Sequence, residues 1–201
     1  MRGLLAAWAW VLAGAACADE ALWQLLQGGG QVVMVRHALT EPGVGDPDGM
    51  TLEDCATQRN LSAPGRAEAV RLGEALRQRR VPVAGVLSSP WCRAQESAKL
   101  ALGRPVAVQP ALGNLFGRPE RSAQQVAELR QLVQRPREGN LFLFTHGSTT
   151  LALTGVSPRT SEMVILTPQP GGFRVAGRLA VHPGSAAGTG RGASSTGQRP
   201  P

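Results

Sequence analysis

Apolar runs and amphipathic stretches alternate along the middle of the chain. Residues 31–37, 83–88 and 140–145 form three short runs dominated by apolar side chains, with V-V-M-V at the centre of the first. Runs of this kind are typical of strands that are buried on both faces of a parallel sheet. The pattern therefore predicts three buried strands.

Segments with helical periodicity separate and follow these strands. The predicted helices cover residues 20–27, 62–79, 91–102, 124–134 and 149–153. In the second helix, Ser62 is a suitable N-cap and Pro64 falls in the first turn. Ala69, Leu72 and Leu76 recur on one face of that helix, which is the face expected to pack on the sheet.

Two more strands are predicted near the end of the chain, over residues 162–167 and 173–181, joined by a turn at 168–172. Residues 40–58 form a long loop rich in Gly, Pro and Asp, and loops of this length more often have a function than not. Strands that alternate with helices predict an α/β sandwich.

The start of the chain has the pattern of a secretory signal peptide. A positive Arg2 precedes an apolar run over residues 4–16, which is too short to span a bilayer, and Cys17 lies within a small-x-small cleavage site. We therefore expect residues 1–18 to be removed. A lipid anchor on Cys17 is the alternative, although Gly14 stands where a lipobox normally has Leu.

The rest of the chain divides into one domain and a tail. Residues 19–181 are expected to form a single domain, periplasmic or secreted, with no stable membrane insertion after signal cleavage. Residues 182–201 consist mainly of Gly, Ser, Ala, Arg and Pro, so we expect a disordered tail.

Cysteine usage agrees with export. If the signal is cleaved after residue 18, Cys55 and Cys92 are left in an oxidising compartment, where we expect them to form a disulfide. Two buried thiols are the alternative. Neither cysteine has a second Cys or His at ligand spacing, so no metal site is implied.

The positive charge of the chain does not indicate nucleic-acid binding. Lys and Arg outnumber Asp and Glu by 21 to 14, a net charge of +7, but Arg2, Arg191 and Arg199 lie outside the predicted domain. No basic run is interleaved with aromatic residues, and Tyr is absent. A modest positive field suits a small anionic substrate better than a duplex.

Two histidines follow buried strands directly. His37 comes after V-V-M-V-R and His146 after L-F-L-F-T, while the strand over 83–88 leads into the helix that carries Arg93. Ligands of open α/β sheets bind beyond the carboxyl ends of the strands. We therefore expect Arg36, His37, Arg93 and His146 to meet, although each alone could be an ordinary polar residue.

This combination of side chains suits phosphoryl transfer. Two guanidinium groups can hold a phosphate bidentately. One imidazole can attack phosphorus and leave again, and a second can stabilise the charge on the phosphate oxygens. No metal or other cofactor is needed for the charges involved.

Four segments also resemble the motifs of one family, in the family's order. V-V-M-V-R-H-A-L-T at 32–40 is similar to the Arg-His-Gly signature of the histidine phosphatase superfamily, whose members have a phosphoglycerate-mutase-like fold. R-N-L-S-A-P-G-R-A-E-A at 59–69 resembles its Leu-Ser/Thr-x-x-Gly-x-x-x-Ala helix start. V-L-S-S-P-W-C-R-A-Q-E-S-A at 86–98 resembles its Ser-x-x-x-x-Arg-Ala segment, and L-F-L-F-T-H-G at 141–147 its second His-Gly. The sequence is identified as an exported, branch-1-type member.

The resemblance implies a three-layer α/β/α sandwich with a mostly parallel central sheet, and it implies roles for individual residues. His37 would carry the phosphoryl group as phosphohistidine. The phosphate would be bound by Arg36, Thr40, Arg93, His146 and Gly147.

Two departures from the family pattern matter. Ala38 replaces the usual Gly, which is a small change. The proton donor is the larger question, because Asn114 stands where a carboxylate is expected and Gly147 follows His146. The remaining candidate donors are Glu41, Asp46 and Asp48, followed by Glu53 and Asp54.

The sequence thus predicts a phosphatase of the cell envelope that hydrolyses a small phosphate ester, or an envelope phosphate group, and favours good leaving groups. A phosphate- or glycan-binding module without activity is the alternative, and a phosphomutase is a weaker one. No G-x-G-x-x-G follows a strand, which argues against a dinucleotide enzyme.

Overall fold

The computed structural model describes residues 18–135 and 137–182. The predicted signal peptide, apart from its last residue, and the predicted tail beyond His182 lie outside the described residues. Within the described part, no helix is long and apolar enough to cross a membrane.

Six strands form one sheet in the order β3-β2-β4-β1-β5-β6. The strands are Val32–Arg36 (β1), Val83–Ser88 (β2), Ala107–Val108 (β3), Asn140–Thr145 (β4), Met163–Gln169 (β5) and Gly172–Leu179 (β6). The first four pair in parallel, and β5 and β6 extend the sheet as antiparallel strands. The prediction of a mostly parallel sheet is confirmed.

Helices cover both faces of the sheet. They span residues 18–27 (α1), Ala63–Gln78 (α2), Cys92–Leu102 (α3), Ser122–Val133 (α4) and Gly147–Thr154 (α5). Three short 3-10 helices cover Cys55–Thr57, Pro110–Leu112 and Pro119–Arg121.

Alternate residues of β1 face two separate cores. Val33 and Val35 pack with α1, α2 and α3 on one side of the sheet. Val32 and Met34 pack with α4 and α5 on the other. Since β1 has helices on both faces, its four buried residues, 32–35, are all apolar, and only Arg36 at its carboxyl end is charged. The predicted three-layer α/β/α sandwich is confirmed.

The start of α2 fixes the chain that follows β1. The Ser62 side chain accepts a hydrogen bond from the Gly65 N–H at 3.2 Å, as predicted for an N-cap. A Cβ atom on Gly65 would lie 1.8 Å from the carbonyl oxygen of Leu39. The helix can approach the loop after His37 this closely only with glycine at that position.

The long loop over 40–58 is tied down at two places. Thr40 forms an isolated antiparallel bridge with Leu61, and the predicted disulfide joins Cys55 to Cys92, whose Cα atoms lie 5.7 Å apart. The disulfide connects the loop to Cys92, the first residue of α3. Arg93 is the second residue of that helix.

The differences from the predicted elements are small. The strand β3 was not predicted, because it has two residues and both are exposed. The hairpin β5–β6 turns at residues 170–171 instead of the predicted 168–172. Strand pairing therefore continues to Gln169 and Gly172, next to the turn.

Candidate active site

The carboxyl ends of β1, β2 and β4 lie side by side and bring the predicted residues together. Arg36, His37, Arg93, His146 and Gly147 line one pocket of about 270 Å³. The three strand ends lie together, as expected, because β1, β4 and β2 pair in parallel.

His37 is buried, and its hydrogen bond defines its tautomer. The ring Nδ1 lies 2.8 Å from the carbonyl oxygen of Ala38, which can only accept, so Nδ1 carries the proton and Nε2 keeps its lone pair. Burial, with the positive charges of Arg93, Arg36 and Arg59, lowers the pKa of His37 to about 3. The ring is therefore neutral, as a nucleophile must be.

His146 is held the opposite way round. Its Nε2 lies 2.8 Å from the Ser89 hydroxyl, and that hydroxyl oxygen accepts the Trp91 backbone N–H at 3.3 Å. The serine hydroxyl can donate its own proton to Nε2, and in that arrangement the His146 proton is on Nδ1, which has no partner among the described residues. Burial, with His37 and Arg93 close by, holds the pKa of His146 well below its usual value.

The two imidazoles face each other across the pocket. Their ring centroids are 5.2 Å apart with an edge-on angle of 64° between the planes. The Trp91 ring packs edge-on against His146, also at 5.2 Å. His146 therefore packs edge-on against both His37 and Trp91.

Three guanidinium groups surround the histidines. Arg36 donates from Nη1 to the Pro158 carbonyl at 3.0 Å, and Arg93 is almost completely buried. Arg59, the third, also lines the pocket and donates to the Gly43 carbonyl. The sequence reasoning missed Arg59 as a site residue, although it begins one of the family-like segments.

Asp46 is bound to Arg93. The two Arg93 Nη atoms donate to the two carboxylate oxygens, and the Trp91 indole N–H donates to one of them at 3.0 Å. The Arg59 backbone N–H donates to the other at 3.3 Å. Burial alone would raise the pKa of Asp46, but these bonds and the charge of Arg93 outweigh it and lower the pKa.

Of the predicted proton donors, only Asp46 contacts one of the residues predicted to be catalytic, Arg93. Glu41, Asp48, Glu53 and Asp54 are exposed and do not line the pocket, and the Asp54 carboxylate caps the 3-10 helix that begins at Cys55. Because Asp46 is held as a carboxylate, the geometry favours a role as the partner of Arg93 over the predicted role of proton donor.

The two predicted auxiliary phosphate ligands differ. Gly147 lines the pocket and is the first residue of α5, so its backbone N–H has no acceptor inside the helix. Thr40 does not line the pocket, because its bridge to Leu61 places it on the loop beside α2.

Ser89 is a further residue that the sequence reasoning did not single out. It lies within the family-like segment at 86–98 and is completely buried. In the sequence, Ser89 could be noticed only as a serine that directly follows a buried strand. Its hydrogen bond to His146 depends on the pairing of β2 with β4.

No group of three or more His, Cys, Asp or Glu side chains that could hold a metal ion occurs among residues 18–135 and 137–182.

The comparisons with known proteins agree with this site. Residues 32–128 match the model of the histidine phosphatase superfamily (branch 1). No curated protein sequence matches the chain.

Solved structures share the fold at low sequence identity. A functionally characterised open reading frame product of Mycobacterium tuberculosis has 18% identity and a TM-score of 0.60, covering 76% of this chain and 99% of its own. A mycobacterial glucosyl-3-phosphoglycerate phosphatase in complex with VO3 has 19% identity and a TM-score of 0.55, covering 73% and 96%. Mycobacterial hydrolase 2 has 19% identity and a TM-score of 0.56, covering 78% and 94%.

Residues 32–128 therefore match the histidine phosphatase superfamily (branch 1), and the fold is the α/β sandwich of the phosphoglycerate-mutase-like structures. This match supports a phosphatase activity in general and a phosphorylated small molecule as the substrate.

Proposed function

We propose that the protein hydrolyses a phosphate monoester through a phosphohistidine intermediate on His37. One observation carries the proposal. Arg36 Nε, Arg59 Nε, Arg93 Nε and His146 Nδ1 are buried nitrogen atoms without a hydrogen-bond partner among the described residues, and all four belong to side chains that line the pocket with His37. Buried donors normally have acceptors, and the oxygens of a bound phosphoryl group would supply them.

The charge of the site supports the same ligand. Arg36, Arg59 and Arg93 contribute three positive charges and Asp46 one negative charge, while His37 and His146 are neutral. The excess of two positive charges matches the charge of a phosphate monoester dianion. Guanidinium groups bind phosphate oxygens in a fixed planar geometry, so they also set the orientation of the phosphoryl group.

The first chemical step uses the lone pair of His37 Nε2. It attacks phosphorus, the bond from phosphorus to the leaving-group oxygen breaks, and its electron pair departs on that oxygen. The imidazole gains positive charge, which the Ala38 carbonyl stabilises by accepting the Nδ1–H bond. The arginines and His146 Nδ1–H stabilise the charge on the equatorial oxygens.

In the second step a water oxygen attacks phosphorus and the P–N bond breaks. His37 recovers its lone pair, and inorganic phosphate leaves with the hydroxyl group from water. The remaining water proton passes to solvent or to a phosphate oxygen.

We also propose that the protein acts in the cell envelope. The signal-like pattern over residues 1–18 supports this, and so does the Cys55–Cys92 disulfide, since disulfides persist mainly in oxidising compartments. The substrate would then be a small phosphate ester or a phosphate group of the envelope.

The test is a rapid-quench experiment on the purified protein with 4-nitrophenyl phosphate. We expect turnover and an acid-labile, base-stable phosphoprotein, both lost in His37→Ala. His182→Ala is the matched control, because this exposed histidine does not line the pocket, and it should retain both. Binding of vanadate by the wild type without turnover or adduct would favour the alternative of a phosphate-binding module.

A further inference from the structure

The segment between the 3-10 helices Pro110–Leu112 and Pro119–Arg121 forms one wall of the pocket. Its Gly113 carbonyl accepts hydrogen bonds from Thr149 Oγ1 at 2.6 Å and from Gln125 Nε2 at 3.1 Å. Leu115 is buried, while its neighbours Asn114 and Phe116 line the pocket. These anchors hold the wall in place, so Asn114 and Phe116 are parts of a built site.

The amide of Asn114 has a defined orientation. Its Oδ1 accepts from the Phe116 backbone N–H at 3.1 Å and from the Ser148 hydroxyl at 2.8 Å. A backbone N–H can only donate, so the atom that it contacts must be the amide oxygen. The amide nitrogen Nδ2 makes no hydrogen bond to the described residues and is the end left for a ligand in the pocket.

An amide can donate a hydrogen bond but cannot give up a proton near neutral pH. None of the described residues that line the pocket has a carboxyl group. Asp46, the nearest acid to the catalytic residues, is held as a carboxylate by Arg93. The site can therefore stabilise negative charge on a leaving oxygen, whereas it has no acid in place to protonate that oxygen.

Apolar side chains line the same pocket. Phe116 is 58% exposed and Val44 is 89% exposed, and both contribute to the lining together with Gly43 and Gly45. Exposed apolar side chains are ordinary one at a time, but a pair beside a positively charged pocket indicates a surface for an apolar part of a ligand.

We propose that the substrate is an aryl phosphate, whose ring lies against Phe116 and Val44 and whose bridging oxygen receives a hydrogen bond from Asn114 Nδ2. This rests on the proposed phosphohistidine mechanism. The His37 Nε2–P bond forms as the P–O(aryl) bond breaks, and the electron pair stays on the phenolate oxygen. The phenolate takes its proton from water after release. A phenolate leaves without prior protonation, whereas an alkoxide does not.

The leaving group is tested first. We would measure kcat/KM for phenyl phosphates of graded leaving-group pKa and for ethyl phosphate. General acid catalysis is worth about 10²–10⁴-fold, so without it we expect ethyl phosphate to react at least about 100-fold more slowly than phenyl phosphate. Rates that agree within about threefold would overturn the proposal, and no turnover of any ester would contradict the phosphatase function itself.

The ring contact is tested separately with Phe116→Ala. We expect kcat/KM to fall about tenfold for 2-naphthyl phosphate and to change less than about twofold for acetyl phosphate, a good leaving group with no ring. Leu151→Ala is the control, because Leu151 is similarly exposed on α5 and does not line the pocket. Equal changes for both substrates in Phe116→Ala would overturn the ring contact.

Asn114→Asp tests whether the site lacks an acid that can protonate the leaving oxygen. Aspartate has the same shape and can accept from Ser148 and Phe116, and its second oxygen replaces Nδ2. We expect the ratio of kcat for phenyl and ethyl phosphate to narrow at least about tenfold at pH 5 relative to the wild type at the same pH. An unchanged ratio in a protein of wild-type Tm would overturn the assigned position of Asn114 at the leaving oxygen.

Discussion

The ends of β1 and β4 carry the same side chain in nearly the same setting, yet the two rings form their hydrogen bonds through different nitrogen atoms. Both His37 and His146 are buried, and burial keeps both rings neutral. At the end of β1 the Ala38 carbonyl accepts a hydrogen bond from Nδ1–H, so Nε2 keeps its lone pair. At the end of β4 the contact is through the other nitrogen, because the Ser89 hydroxyl lies 2.8 Å from Nε2 and Nδ1 has no partner among the described residues. In the mechanism that we propose, the hydrogen-bond partner of each ring therefore decides which histidine attacks and which stabilises charge.

The strongest way to test this comparison is to remove each ring. His37→Ala should lower kcat for 4-nitrophenyl phosphate at least about 10⁴-fold, in the range seen when a nucleophile is removed. His146→Ala should lower it about 10²–10³-fold, as for the loss of one transition-state donor. Rapid-quench measurements should still detect a phosphoprotein in His146→Ala. An adduct that disappears only in His146→Ala would reverse the two assignments.

Changing the partner of His146 should have a smaller effect. Ser89→Ala removes the hydroxyl that fixes the tautomer, so both tautomers become populated, and we expect kcat to fall about tenfold with little change in KM. Ser89→Thr keeps a hydroxyl and should recover most of the loss if the methyl group is accommodated. NMR of the imidazole nitrogens reports the tautomer directly. A single Nδ1–H tautomer in Ser89→Ala would contradict the role of Ser89.

The backbone is packed more closely around Gly65, near the end of β1, than around Gly147, at the end of β4. A Cβ on Gly65 would meet the Leu39 backbone at 1.8 Å, whereas a Cβ on Gly147 would meet only Arg36 side-chain atoms at 3.5 Å or more. Gly65→Ala should therefore destabilise the protein by about 1–3 kcal/mol or more, and Gly147→Ala should leave Tm nearly unchanged. Thermal unfolding of both variants decides this. Equal Tm values would mean that the chain after His37 is not closely packed on α2.

The pH dependence of stability should report the burial of His37. Its folded pKa of about 3 lies below the unfolded value of about 6.5. Between these values the unfolded state binds the extra proton, so the free energy of unfolding falls as the pH drops from about 6.5 towards 3. His37→Asn should show a shallower decrease than the wild type in urea titrations over that range. An equally steep decrease in His37→Asn would contradict the lowered pKa of His37.

The local elements were predictable because each depends on neighbouring residues. The Ser62 N-cap, the exact extent of β2 and β4 and the buried face of α2 follow from patterns within a few residues. The grouping of Arg36, His37, Arg93 and His146 was also predictable, since parallel strands present their carboxyl ends at one edge of the sheet.

The contacts between distant segments were not predictable in the same way. Asp46 meets Arg93 across 47 residues, and Ser89 meets His146 across 57. Such pairs depend on the path of the loop after His37 and on the register between β2 and β4, neither of which has a local pattern. The carboxylates of that loop therefore looked equivalent, although only Asp46 reaches the site.

By itself, the sequence determined the alternation of strands and helices, the residues at the strand ends and the absence of an aspartate or glutamate at position 114 or 147. The tertiary structure decided the chemical state of those residues. It placed the His37 proton on Nδ1, bound Asp46 to Arg93 and placed Phe116 beside the pocket. The physical reason is that secondary structure is set by short-range periodicity, whereas protonation and hydrogen bonding are set by whichever groups the fold brings within 3 Å or so of each other.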